Sequence, residues 1–333
     1  MNFKALAAAT AVSMALACTQ KPMVKTLPPI PDAAYAKGVS APFCGVLDGT
    51  LIVAGGANFP EKSLLEGGPK RVYKDIWALK ADGWERIAEL PDSTAYGATF
   101  SLPGRLILAG GNVCGTTTDK VYELSAGGLK SLEPLPFPVE QAGAAILDDV
   151  LYLAGGSSVL EFRDGEWEEI APLPEPLTQP VAYARDGKLF VWGGFNPGSL
   201  LAPSEGFCLD LETLEWADAP AIPDGGTFTG ATGAVLQEGR LIVVGGVNKA
   251  IFERALRNTP EDRIPYLSKE PAEYRFRTQV FIFDGTSWTM FADIPEAALA
   301  GPGVAVHGST VYVSGGELKP GVRSPLTFSF DVL

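Results

Sequence analysis

Six times along this chain an aliphatic run closes on two consecutive glycines, at residues 51–56, 106–111, 151–156, 189–194, 241–246 and 311–316. Short apolar stretches and turns that tolerate positive φ precede these runs, among them Asp48-Gly49, Pro103-Gly104, Asp186-Gly187 and His307-Gly308. Two apolar runs joined by such a turn make a β-hairpin. A third run follows (76–79, 121–124, 280–283), then a fourth with an apolar or aromatic anchor, where Trp84, Trp167, Trp216 and Trp288 take equivalent places. Units end on proline: Leu90-Pro91, Leu135-Pro136, Leu173-Pro174, Ile222-Pro223 and Ile294-Pro295. One four-stranded antiparallel unit cannot bury both of its faces, so copies must stack around a channel. The fold class this predicts is all-β, a six-bladed β-propeller of kelch type.

The sixth unit is short of a strand. After Gly316 the chain supplies one more apolar run, 327–331, and stops at Leu333. Residues 23–27, followed by Pro28-Pro29-Ile30-Pro31, copy the fourth strand and proline ending of the other units. The N-terminal strand is therefore expected to complete the last blade and remove its open edge. Residues 18–333 read as a single propeller domain.

Residues 1–17 have the form of an export signal: Lys4, an apolar run from Ala5 to Leu16, then Ala15-Leu16-Ala17 as a cleavage site. Cys18 follows directly, so a lipid anchor at that cysteine stands beside soluble release. Either way the protein is expected in the periplasm or outside the cell. No later apolar run reaches the ~20 residues of a transmembrane helix. A formal charge of −13, with no Lys/Arg-rich run, argues against nucleic acid as a partner.

Up-and-down strand order sends the links after each double glycine and the links after each proline ending to the same mouth of the channel. Asn58, Asn112, Asn196, Asn248, Glu317 and Arg323 belong to the first kind of link. Tyr96, Gln141, Gln179 and Thr229 belong to the second. Such a rim suits a polyhydroxylated small molecule, although any one Asn is equally a turn-capping residue. The insertion after Gly246, rich in Arg and aromatics, is expected to add to this face. His307, the one histidine, falls in a turn on the opposite face and cannot by itself hold a metal. Neither a metal nor an organic cofactor is expected. Cys44, Cys114 and Cys208 have no zinc-type spacing and read as small buried residues.

Only the last double glycine leads directly into a carboxylate, in Gly315-Gly316-Glu317-Leu318-Lys319-Pro320-Gly321-Val322-Arg323. With Gly245-Gly246-Val247-Asn248-Lys249-Ala250-Ile251-Phe252, Gly55-Gly56-Ala57-Asn58-Phe59 and Ala95-Tyr96-Gly97, this string resembles the bacterial N-acetylneuraminate epimerases, or sialic acid mutarotases. The Glu/Arg motif lies at the chain's end, unlike its mid-chain place in better-known members, so the chain looks like a cyclically permuted form. The resemblance implies a cofactor-independent isomerase acting on a small acidic sugar. Glu317 would be the proton acceptor and Arg323 its active-site partner, holding the substrate carboxylate or stabilising charge on oxygen. Tyr96, Asn58, Asn112, Gln179, Asn196 and Asn248 would contact the sugar. The alternatives are a Glu317–Arg323 pair that only stiffens the turn, and a non-catalytic module that binds glycan or protein. Mutarotation of another acidic sugar is a third.

Overall fold

The computed structural model describes residues 22–332, so the expected export signal and Cys18 lie outside the described residues. Antiparallel sheets follow the repeats. Strands Phe43–Leu47, Thr50–Ala54, Asp75–Lys80 and Gly83–Glu89 form the first sheet. Ala98–Leu102, Arg105–Ala109, Val121–Ser125 and Gly128–Ser131 form the second. Ala231–Val235, Leu241–Gly245, Gln279–Phe283 and Trp288–Asp293 form that of the fifth repeat. The third and fourth repeats share one six-stranded sheet, Gly143–Leu147, Val150–Arg163, Glu166–Arg185, Lys188–Phe195, Gly206–Asp210 and Trp216–Ala219. Within it Tyr152 lies near enough to Glu161 for that carboxylate, after burial, to help push its phenol up. Nine residues of straight strand would hold these groups about 30 Å apart, so the chain doubles back near Gly155-Gly156.

The innermost strands close a ring. Phe43–Leu47 lies beside Ala98–Leu102, which lies beside Gly143–Leu147, which packs on the Glu166–Arg185 strand. That strand borders Ala231–Val235, then comes Gly303–His307, and Gly303–His307 returns to Phe43–Leu47. The core sits as wedges between neighbouring sheets. Phe43, Ile52 and Ile76 face Leu106, Leu108 and Tyr122, for example, and Ile242, Val244 and Ile282 face Val311, Val313 and Phe328. This is a propeller of the kelch kind, with the apolar surface of each sheet covered by its neighbours.

The last sheet is completed as the sequence requires. Lys25–Leu27 pairs antiparallel with Thr327–Asp331, Lys25 opposite Ser329 and Leu27 opposite Thr327. The segment that follows goes on behaving as the end of that repeat. Trp216 donates its indole N–H to Pro172 O at 2.9 Å and Trp288 to Pro220 O at 3.2 Å, each reaching the proline ending of the preceding repeat. Trp84 donates in the same way to Pro28 O at 2.7 Å.

The double glycines follow from this stacking. Gly315 has φ +67°, and a Cβ there would stand 2.2 Å from Val39 O, the carbonyl that accepts the Gly316 N–H at 2.8 Å. Gly55 and Gly56 meet Thr94 O in the same way. The first glycine makes room for the next unit's backbone and the second hydrogen-bonds it. At the last repeat that backbone belongs to the N-terminal segment.

The insertion after Gly246 is ordered as two short helices, α1 (Lys249–Leu256) and α2 (Arg263–Leu267), ahead of a 3-10 turn at Pro271–Tyr274. Asn248 caps α1, its Oδ1 accepting from Ile251 N at 3.1 Å. Cys44 and Cys208 are buried as expected, and burial pushes the Cys44 thiol up to about 12. Cys114 departs from that expectation. It is exposed, with φ +50°, at the tip of the short Asn112–Val113/Thr116–Thr117 hairpin.

Candidate active site

One mouth of the ring opens into a cavity of about 510 Å³, within the range of small-molecule sites. Its floor is set by backbone. Just before five of the inner strands, and within the long Glu166–Arg185 strand, one residue is left-handed: Ala41 (φ +50°), Tyr96 (+65°), Gln141 (+57°), Gln179 (+64°), Gly230 (+69°) and Gly301 (+60°). Hydrogen bonds link them in sequence around the channel. Gly301 N donates to Gly230 O at 2.7 Å, Ala41 N to Gly301 O at 2.8 Å and Tyr96 N to Ala41 O at 2.9 Å. Gln141 N donates to Tyr96 O at 2.8 Å and Gln179 N to Gln141 O at 2.9 Å. All six line the cavity. Gly230, Gly301 and Ala41 leave one half of the floor nearly free of side chains. Tyr96, Gln141 and Gln179 furnish the other half, and Gln179 Nε2 donates to Gln141 Oε1 at 2.6 Å.

Glu317 stands over the bare half. It starts the strand Glu317–Lys319, which pairs with Val322–Arg323 through the Pro320-Gly321 turn. Its backbone is bonded both ways to Ala300, next to Gly301 (Glu317 N to Ala300 O, 2.7 Å; Ala300 N to Glu317 O, 2.9 Å). Its carboxylate lines the cavity with 26% of the side chain exposed. Burial in this recess pushes the carboxyl above the ordinary range, against the pull of Arg323 and then Lys70.

Arg323 lies behind Glu317 rather than in the cavity. Its side chain is 3% exposed, with Nη1 2.6 Å from Glu317 Oε1. Nε donates to Ala57 O at 3.2 Å, and the guanidinium lies 5.2 Å from the centre of the Phe59 ring. Nη1 aims no aligned hydrogen bond at any partner among the described residues, so charge and proximity hold the pair. A guanidinium so enclosed tunes and fixes the carboxylate but does not reach a ligand.

Of the other expected contacts, Tyr96, Asn112, Gln179 and Asn248 line the cavity, and Gln141 does too. Asn58 does not. It is fully buried, donating to Gly38 O at 2.8 Å and Ala34 O at 3.1 Å, and accepting from the Tyr73 hydroxyl at 2.8 Å. Asn196 turns the other way, its Oδ1 accepting from Gly198 N at 2.8 Å while Nδ2 donates to Glu175 at 2.8 Å. Thr229 is one residue out of place. Its hydroxyl is buried against Gly194 O at 2.5 Å, and Gly230 takes the rim position.

Residues of the insertion, expected on this face but not as individual ligand contacts, complete the wall. Ile251 and Phe252 of α1, Tyr266 of α2, Tyr274 and Phe276 form an apolar and aromatic side. The aromatic-rich insertion signalled them as a group but not one by one. Burial, then Tyr274 and Glu317, push the Tyr266 phenol up, so it stays a protonated donor near Glu317. The Tyr274 hydroxyl donates to Tyr266 O and fixes this corner. Lys70 reaches the cavity from the 59–70 loop, and no sequence motif marked it. Among the described residues no group of three or more His, Cys, Asp or Glu gathers as a metal site would need.

Comparison with known proteins places this geometry. The family model of N-acetylneuraminate epimerase matches residues 7–133 and 132–332. An N-acetylneuraminate epimerase of Vibrio vulnificus (strain YJ016) is 35% identical over 106 residues, which are 29% of this chain and 28% of that protein. One of Vibrio cholerae (strain ATCC 39315 / El Tor Inaba N16961) is 33% identical over 117 residues, 31% of this chain and 30% of that protein. These matches thus span under a third of either relative. The solved structure of YjhT is similar with a TM-score of 0.54 and 25% identity, covering 60% of this chain and 63% of that one.

Proposed function

We propose the activity from one premise: this chain belongs to the N-acetylneuraminate epimerase family. The reaction is interconversion of the α and β anomers of N-acetylneuraminate. The observation that carries it is Glu317, a carboxylate of raised basicity facing the cavity, with Arg323 fixed behind it. In a cyclic 2-keto sugar acid the anomeric hydroxyl and the ring oxygen sit on one carbon, so a single carboxylate can serve both. Glu317 takes the anomeric hydroxyl proton, the carbon–ring oxygen bond breaks as the ketone forms, and the proton goes to the ring oxygen. Rotation about the adjacent carbon–carbon bond and reclosure on the other carbonyl face, with the proton moving in reverse, gives the other anomer. No atom is gained or lost. The aromatic side of the cavity suits the apolar faces of a sugar, and Tyr96, Gln141, Gln179 and Asn112 offer hydroxyl and amide partners to its polar edges.

The place of the Glu/Arg motif at 317–323, late in the chain, is what supports the permuted order. Lys4 and the 5–16 apolar run support export to the periplasm, with or without a lipid at Cys18.

The test is anomer exchange followed by NMR after sialidase releases the α anomer. Wild type should accelerate exchange, and Glu317→Gln should lower the rate by about 10²–10⁴-fold, the usual weight of a positioned acid–base group. Absence of acceleration by wild type, or an unaltered rate in Glu317→Gln, would sink the reading. Binding of the sugar without any turnover would mark a glycan-binding module instead.

A further inference from the structure

We propose that Lys70 is the residue that receives the carboxylate of the acidic sugar, a role that burial denies to Arg323. The inference rests on the mutarotase reading above and names the anion subsite of that same cavity. Among the described residues Lys70 is the only Lys or Arg lining the cavity, where Glu140 and Glu317 are the acids. It is also uncommitted, making no ion pair with any described carboxylate within 4.0 Å. Among the described residues an anionic ligand entering the cavity has no other lining cation to meet.

Lys70 is held in position on both sides. Its ammonium stands 4.8 Å from the centre of the Tyr96 ring and 3.5 Å from the Tyr96 hydroxyl. The next residue, Arg71, pairs with Asn58 in the short Ala57–Asn58/Arg71–Val72 hairpin. Asn58 pins that hairpin to the N-terminal segment through Gly38 O and Ala34 O. This gives Asn58 a place in the site without contact to the sugar. It anchors the strand pair from which Lys70 projects.

The substrate's own bonding then orients it. The anomeric carbon carries the carboxylate and the exchanging hydroxyl together, so the cation and the base must lie close to each other. Lys70 is near enough to Glu317 to pull on its proton affinity. A carboxylate seated on Lys70 turns the anomeric hydroxyl toward Glu317 over the bare half of the floor, Gly230–Gly301–Ala41.

Lys70 is exposed, so its variants should fold. The experiment compares N-acetylneuraminate with its uncharged methyl ester in wild type, Lys70→Met and Lys70→Arg, with KM and kcat for anomer exchange and calorimetric binding of each sugar. Lys70→Met should raise KM for the acid about 10- to 100-fold, the weight of a charge-assisted contact. Measured above the acid limb set by Glu317, it should leave kcat within about twofold and cost the ester far less than the acid, and Lys70→Arg should restore much of the loss. An unchanged KM for the acid, or equal losses for acid and ester, overturns the assignment while leaving the reaction in place. If wild type binds the acid but does not turn it over, loss of that binding in Lys70→Met alone supports the subsite and sinks the reaction.

Discussion

Arg323 acts on Glu317 by charge at close range and without an aligned hydrogen bond, so its removal should be read in a pH profile. A base works only when deprotonated, and the acid limb of kcat/KM should lie above the ordinary carboxyl range because burial raises Glu317. Arg323→Met removes the largest influence opposing that rise. The limb should move further toward neutral pH, and activity near pH 7 should fall. A limb unmoved from wild type would show that the pair does not tune the base. Stability follows the same proton. The folded state holds it more tightly than the unfolded chain, so folding gains most at low pH. That gain is lost as pH climbs from the ordinary carboxyl value through the folded one. Glu317 therefore weakens the fold at neutral pH, as a functional group held in a recess does. Its place at the cavity was legible from sequence, since no other double glycine leads straight into an acid. The burial of Arg323 and Asn58, and the turn of Asn196 away from the cavity, were not. Repeat spacing says which mouth a loop reaches, while local φ and ψ decide whether a loop side chain faces the channel or packs beneath it.

Within the Glu317–Arg323 hairpin the charged residues point three ways, and Lys319 serves the insertion. Its ammonium donates to Lys269 O at 2.6 Å and Leu267 O at 3.3 Å, taking up carbonyls that the end of α2 leaves free. Tyr266 sits one residue before Leu267, so Lys319 steadies the aromatic wall from the motif that carries the base. Lys319→Met should speed amide hydrogen exchange over residues 263–275 and raise KM several-fold. Global stability should fall by only about 1–2 kcal/mol, the worth of two such hydrogen bonds. Protection of 263–275 equal to wild type would rule the brace out. The sequence announced this insertion through its aromatics and arginines, but not that it would be helical or tied to Lys319. Those outcomes depend on contacts between repeats far apart in the chain.

At the scale of the molecule, closure depends on the N-terminal segment more than on any one sheet. It supplies Lys25–Leu27 to the last sheet, Pro28 O to Trp84 and Val39 O to Gly316. A chain beginning at Asp32 keeps the Val39 contact and loses the other two, exposing the edge of Thr327–Asp331. Its thermal unfolding should lose its single sharp transition. An unchanged melting profile would refute the claim that this strand closes the ring. This much was readable beforehand because a missing fourth strand and a spare N-terminal one are matters of counting. The backbone run from Gly230 to Gln179 was not, because four of its six residues are not glycine and nothing in their side chains announces a left-handed backbone.

That run works as a band around staves, its five hydrogen bonds leaving the ring unlinked between Gln179 and Gly230. Main-chain atoms, and not side chains, set the bore of the opening, so no single sheet can slacken it without straining the links to its neighbours. Ala41, Tyr96, Gln141 and Gln179 hold their places in it through N–H and C=O groups that any amino acid but proline also carries. What the opening is lined with can therefore change by substitution while its width stays constant. A scaffold of this kind lends itself to new ligands without being rebuilt.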